Sequence, residues 1–343
     1  DDGKYYSITG GKMWISNAGF CQVFIVFARI GDDKNITGLI VFREALFIFT
    51  QRNISQLTGN TASDFQLQPV TRNVGCIAPD TIQEVSGDVM FLGPEGLRLL
   101  SATDRIGDFN LGLVSKSIQK EMTSFINSNT SFASSVIKQK SQYRVFGYNP
   151  STSSSSTVSI VGVQKSGQDT SLFEWSQVVG IQAFCIDEDY YNQIEIIVFA
   201  NDTGYVYQLE QGNSFDGQNI AATFATPYVA INDPRIRKTF YKLFLYTDPA
   251  GGVDIDMNLK FDFDTAAYVQ PATINISNAA GSITFFGEGN YGSAVYGGKL
   301  TKLFLTQVIG SGLSVSLVFS SDNQDAPFTF DAATLEFSTH DRR

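Results

Sequence analysis

Leu39-Ile40-Val41-Phe42-Arg43-Glu44-Ala45-Leu46-Phe47-Ile48-Phe49 is a phenylalanine-rich apolar run that leads into Gln51-Arg52-Asn53-Ile54-Ser55-Gln56-Leu57-Thr58-Gly59. Gly75-Cys76-Ile77-Ala78-Pro79-Asp80-Thr81-Ile82 follows, and then Val89-Met90-Phe91-Leu92-Gly93-Pro94-Glu95-Gly96-Leu97-Arg98. The order is strand, turn, strand, then a Gly/Pro turn between two further apolar runs, which is the pattern of a blade-like antiparallel meander.

The same texture extends along the chain. Strand-like runs recur at 22–30, 38–49, 54–57, 65–70, 89–93, 97–100, 143–147, 157–163, 178–186 and 194–200, which argues for a sandwich or propeller over a βαβ fold. Only Ser115 to Ile126 reads as a helix, with Ile118, Met122, Phe125 and Ile126 on one face and a serine available as N-cap. The serine run Ser151 to Ser156, after Asn149-Pro150, reads as a loop tip. A second region starts near Asn213. Its clearest strand puts Val253, Ile255, Met257, Leu259, Phe261 and Phe263 on one side and Asp254, Asp256, Asn258, Lys260, Asp262 and Asp264 on the other. Thr239 to Tyr246, Ser282 to Phe286, Leu300 to Val308, Ser314 to Ser320 and Phe328 to Phe337 complete a sandwich-sized region. The predicted fold is all-β: a propeller-like meander over 1–212, then a β-sandwich-like domain over 213–343, with one short helix.

Composition agrees with a folded β-rich chain. The 343 residues are 43% hydrophobic and 17% charged, enough for one large or two medium cores. Phe 28 and Tyr 14 beside Met 4 suit strands that want bulky flat side chains, and Gly 30 suits many turns. No run approaches about 18 purely apolar residues, so no membrane-spanning helix is expected, and the first residues do not resemble a signal peptide. The chain begins at Asp1 without a methionine, as expected of part of a longer product. A formal charge of -10 disfavours tight wrapping of nucleic acid but suits a wall that duplex DNA slides past. Cys21, Cys76 and Cys185 are odd in number and far apart, which predicts reduced, mostly buried thiols.

From Ile36 to Arg343 the meander resembles the blade repeat of the tail nozzle (tail tubular) proteins of short-tailed bacteriophages, with Asp202-Thr203-Gly204-Tyr205-Val206-Tyr207-Gln208 and Glu174-Trp175-Ser176 as further landmarks. The resemblance implies a hexameric ring below the portal and contact with an adaptor or portal-side ring. It also implies fibre or plug proteins at the other end, and passage of genomic DNA through the lumen. It places the protein in the virion tail, assembled in the host bacterial cytoplasm, with Trp175 and Tyr205 as core or interface anchors.

Residues 1–41 resemble a different family. Gly3-Lys4-Tyr5-Tyr6, Ile8-Thr9-Gly10-Gly11-Lys12-Met13-Trp14-Ile15-Ser16-Asn17-Ala18-Gly19-Phe20 and Val23-Phe24-Ile25-Val26-Phe27-Ala28-Arg29 are similar to the middle β-domain of acyl-CoA dehydrogenases. That resemblance implies flavin contacts at Trp14 and Ser16. The activity also needs a glutamate base and long helices enclosing flavin and thioester, and the sequence after Phe42 offers almost no helix. The segment reads as a piece of separate origin or a chance hairpin.

Catalytic patterns are scarce. His340 is the only histidine, and no CxxC, HExxH, GxxxxGK[ST] or strand-linked GxGxxG occurs. Phe286-Gly287-Glu288-Gly289-Asn290-Tyr291-Gly292 reads as a turn cluster. Asp187-Glu188-Asp189 and the row Asp254, Asp256, Asp262 and Asp264 are the carboxylate groups to weigh for glycan hydrolysis by a tail-associated enzyme. No catalytic residue, cofactor or metal is expected. The expected subunit contacts or lumen lining are Arg235, Arg237 and Lys238, the arginine forks suiting a neighbour's carboxylates, and the acidic row Asp254, Asp256, Asp262 and Asp264.

Overall fold

A computed structural model describes residues 36–59, 61, 64–101, 113–152, 156–164, 173–249, 253–265, 270–277, 303–325 and 327–339. The expected strands at 22–30 and 282–286 lie outside them. The chain divides into units 1–210 and 211–343, and the described residues are all-β apart from one ten-residue helix and short 3-10 turns.

Unit 1 opens with β1 (Ile36–Phe42), β2 (Ala45–Thr50), β3 (Ile54–Thr58) and β4 (Gln66–Thr71), an antiparallel meander in that order. The apolar run 38–49, read as one strand, is a hairpin. Arg43 and Glu44 form a two-residue turn with φ 46° and 65°, and Phe42 pairs with Ala45. Neither residue is a usual left-handed turn former, but Arg43 donates to the Gly87 carbonyl at 2.7 Å and its guanidinium lies 4.9 Å from the Phe42 ring. Ala45, Phe47 and Phe49 then alternate inward.

A second sheet comprises β5 (Gln83–Val85), β6 (Asp88–Gly93) and β7 (Gly96–Leu99). Its middle strand is buried on both faces. Val89 and Phe91 join Phe47, Phe49, Ile54 and Cys76 in one core, and Met90 and Leu92 join Leu97, Tyr143, Val145 and Ile160 in another. Helix α1 (Gln119–Ser128) sends Met122 and Phe125 into the second core, with Ile118 and Ile126 packed beside them. Its apolar face is the one the sequence marks, but no serine caps it. A 3-10 turn at Lys116–Ile118 precedes it, and the buried Ser115 hydroxyl instead accepts the Leu97 N–H at 3.1 Å.

The third sheet, ordered β11-β10-β9-β8, comprises β8 (Ser131–Ile137), β9 (Gln142–Tyr148), β10 (Val158–Gln164) and β11 (Phe173–Val179). Trp175 lies over Gly162, its cross-strand neighbour, so closely that any side chain there would strike the indole, and its Nε1–H donates to the Val114 carbonyl at 3.2 Å. The fourth sheet is β12 (Cys185–Tyr191), β13 (Ile194–Ala200) and β14 (Val206–Gln208). The run 178–186 is therefore not one strand: Gly180, at φ 101°, turns the chain between β11 and β12. Among the described residues the four sheets make no closed barrel or propeller.

Unit 2 pairs two sheets face to face. One is β15-β20-β17-β18, from Ile220–Ala225, Val315–Asn323, Asp254–Phe261 and Ile274–Ser277. The other is β19-β16-β21, from Leu303–Gly312, Lys238–Pro249 and Phe328–Thr339. Ile255, Met257, Leu259 and Phe261 face Phe240, Leu243, Leu245 and Val308 across one core, which makes the unit a β-sandwich. The alternation of β17 stops at Phe261. Asp262, Phe263 and Asp264 all have positive φ, so Phe263, expected inward, is exposed. The Phe261 ring rests on Gly310 and Gly312 of the opposite sheet, where an added Cβ would overlap it. Gly310→Val is expected to lower unfolding free energy by about 1–3 kcal/mol in a urea titration, because that ring has no free volume to move into.

Candidate functional site

The basic segment before β16 closes one end of the sandwich. Asp233 accepts from the Arg235 Nε and Nη2 at 3.1 and 3.0 Å and from its backbone N–H at 2.9 Å, and these bonds hold its carboxyl below the usual range. The Arg235 side chain is 87% exposed, so the pair adds little stability. Arg237 donates to the Ser311 carbonyl at 3.0 Å and sits 3.6 Å from an Asp262 carboxylate oxygen. The other oxygen of Asp262 accepts the Leu313 and Ser314 N–H groups at 2.8 and 3.1 Å.

Lys238 departs furthest from its expected place. It is 1% exposed, and its ammonium donates to the carbonyls of Asp233 (2.6 Å) and Leu313 (3.3 Å). It is an internal brace and not a contact for a neighbour. The acidic row is also broken. Asp254 and Asp256 project together from β17 and share the Asn275 amide at 2.7 and 2.9 Å. Asp262 turns inward, and Asp264 pairs with Lys260 at 2.6 Å. Arg235, Asp254, Asp256 and Asp264 stay on the surface, and Arg237 and Asp262 tie the loops together.

In unit 1, Asp187-Glu188-Asp189 lies on β12, so Glu188 projects from one face of the sheet and Asp187 and Asp189 from the other. Glu188 is half-buried and accepts the Ser135 hydroxyl at 2.8 Å; burial, aided by Asp187, pushes its carboxyl up. Glu195 accepts the backbone N–H groups of Lys138 and Gln139 at 2.8 and 3.1 Å. Glu210 pairs with Arg144 at 2.6 Å and with Lys140. Burial alone would raise the Glu210 carboxyl, but the two cations outweigh it and hold the group low. These three glutamates clasp the β8–β9 hairpin. Sequence reasoning missed Glu195 and Glu210 because their partners lie 56 to 70 positions away along the chain.

The remaining candidates are dispersed. Trp175 is a core anchor with a satisfied N–H, whereas Tyr205 is exposed, 6.4 Å from the Tyr207 ring. Cys76 is buried, donates to the Ala78 carbonyl at 2.9 Å and is pushed up to about 11 by burial, so it stays a thiol. Cys185 is exposed, against expectation. Trp14, Ser16, Cys21 and His340 lie outside the described residues. Among the described residues no His/Cys/Asp/Glu group is placed to hold a metal, and no helix is long and apolar enough to cross a membrane.

Lys238→Met is expected to lower the stability of the isolated chain by about 2 kcal/mol, since two buried carbonyls lose a charged donor; unchanged denaturation would refute the internal role. Two of the three clasp carboxylates, Glu188 and Glu210, are expected to respond oppositely to pH. A raised carboxyl favours the protonated folded state, so wild-type stability from Glu188 is lost as pH climbs past its folded value, and Glu188→Gln gains on wild type from acid to neutral pH. A depressed carboxyl stabilises above its unfolded value, so Glu210→Gln loses about 1 kcal/mol at neutral pH and converges with wild type in acid. Melting curves from pH 3 to 8 check both signs.

No protein-family model matches the chain. Short similarities join it to acyl-CoA dehydrogenases. It is 39% identical over 46 residues to the very long-chain specific acyl-CoA dehydrogenases of Bos taurus and Homo sapiens, covering 13% of this chain and 7% of each enzyme. It is 45% identical over 40 residues to the short/branched chain specific acyl-CoA dehydrogenase of Rattus norvegicus, covering 12% of this chain and 9% of that enzyme.

Proposed function

We propose that the protein is a structural part of a virion, a nozzle subunit of a short bacteriophage tail that retains and then conducts genomic DNA as one of six copies in a ring. The observation that carries this reading is the construction of unit 1. Four small antiparallel sheets, each of consecutive strands, follow one another along the chain, and a β-sandwich comes after them. Strands of this kind expend their side chains on sheet-to-sheet packing, and the carboxylates and cations between them serve as braces. The acidic balance of -10 keeps phosphates from adhering to a lumen wall. On this reading an adaptor or portal-side ring sits on one side and fibre or plug proteins on the other, and opening follows changes in those contacts.

A flavin-dependent acyl-CoA dehydrogenase is the second reading, favoured by the 46-residue similarity. Electron microscopy of the purified chain, with an absorbance spectrum of the same sample, separates the two. A six-fold ring without flavin bands is expected. A yellow tetramer would overturn the nozzle reading.

A further inference from the structure

Sheet β12-β13-β14 is built unlike the three before it. Among the described residues, Ile197 is the single buried position in its strands, and none of their side chains belongs to either core of unit 1. A small sheet draws most of its stability from apolar burial, so one that buries so little leans on whatever else ties it down. Three glutamates supply ties, and all of them land on the β8–β9 hairpin. Glu188 of β12 accepts the Ser135 hydroxyl, Glu195 of β13 accepts the Lys138 and Gln139 N–H groups at the hairpin turn, and Glu210, just past β14, pairs with Lys140 and Arg144. Tyr148 adds a hydrogen bond to Asp202 at 3.1 Å and an edge-on contact with the Phe184 ring. Two backbone features mark this attachment as one that opens. Gly180, at φ 101°, is the joint by which the chain leaves β11, and a glycine absorbs rotation there at little cost. Glu210 is itself held at φ 63°, where a residue with a side chain is strained, so the latch stores strain that parting relieves.

We infer that β12-β13-β14 is a flap, latched over the β8–β9 hairpin by Glu188, Glu195 and Glu210, that swings about Gly180 as a unit while the two cores of unit 1 stay closed. What it uncovers is specific. β8 is the edge strand of its sheet. Toward its start that edge is held from elsewhere: the Gln83 amide donates to the Ser134 carbonyl at 3.2 Å, and the Ser134 hydroxyl donates to the Asp80 carbonyl at 2.8 Å. Beyond Ser134 the glutamates of the flap take over, so opening bares the buried Ser135 and a stretch of edge able to pair with another strand. The latch carries opposed charge preferences. Glu188, half-buried and faced by Asp187, Lys138 and the Val136 N–H, favours its protonated form, whereas Glu210, between Lys140 and Arg144, favours its charged form. Such a flap requires neither a ring nor DNA, and it belongs to unit 1 alone.

Hydrogen–deuterium exchange on the full chain at neutral pH tests this, with Glu195→Ala, Glu210→Ala and Glu188→Gln beside wild type. In wild type the amides of β12, β13 and β14 are expected to exchange together, on the order of tenfold or more faster than those of β6 and β10. Glu195→Ala and Glu210→Ala are each expected to speed the flap roughly fivefold and leave β6 and β10 unchanged. Glu188→Gln keeps an acceptor for Ser135 without a half-buried charge, and is expected to slow the flap roughly threefold. Protection of the flap equal to that of β6 and β10 overturns the inference, and so does acceleration confined to β14, which is fraying. Acceleration spread evenly over unit 1 also overturns it, since the glutamates are then ordinary braces. Should the alanine variants fail to fold, Glu188→Gln decides alone: an unchanged flap rate refutes the latch.

Discussion

Period-two alternation along Asp88–Gly93 divides one strand between two cores, and unit 1 is organised around that division. A strand with one wet face tolerates a register slip at moderate cost. Here a slip by one residue would exchange Val89 and Phe91 with Met90 and Leu92 and disturb both cores at once. Beside this strand lies a compact polar knot. The Ala78 carbonyl accepts from Cys76 Sγ and from Thr81 Oγ1 at 2.7 Å, Thr81 Oγ1 accepts the Leu92 N–H at 3.1 Å, and Tyr143 donates to the Thr81 carbonyl at 2.8 Å. Each buried group has its partner, so the knot specifies one arrangement and leaves no desolvation penalty unanswered.

Unit 2 is held by a different device. A large ring from one sheet rests on two glycines of the other, which brings the backbone of β19 close to Phe261. At the adjoining end, Lys238 and Asp262 satisfy backbone carbonyls and amides that loops would otherwise leave unpaired. The residues that look most like a charged interface in one dimension are therefore partly structural cement, and the exposed remainder is aromatic as much as charged.

The all-β class and the sandwich were legible because their signal is local. Ile194–Ala200 has the bounds read from its alternation, and the inward face of β17 is correct through Phe261. Failures trace to elements whose signal is weak or shared. Three serines hid β8, the carboxylates of β12 fell outside the expected strands, and a turn of arginine and glutamate concealed the first hairpin inside an apolar run. At the candidate site the sequence picked out Arg235, Arg237 and Asp262 as charges. Arg235 finds its partner two positions away in Asp233, but Arg237 binds Ser311, 74 positions on, and Asp262 binds Leu313 and Ser314, 51 and 52 positions on, and no local pattern encodes such pairings.

The strand Lys238–Pro249 is flanked by Leu303–Gly312 and Phe328–Thr339, both made long after it during synthesis. While the ribosome is still working through the intervening chain, this central strand has neither neighbour, and its apolar side chains and unpaired amides are open to the cell. Loop closure over such distances is slow compared with helix or hairpin formation. The sandwich therefore closes only after its last strand has been made, and the interval before that is when this polypeptide is most vulnerable to clumping.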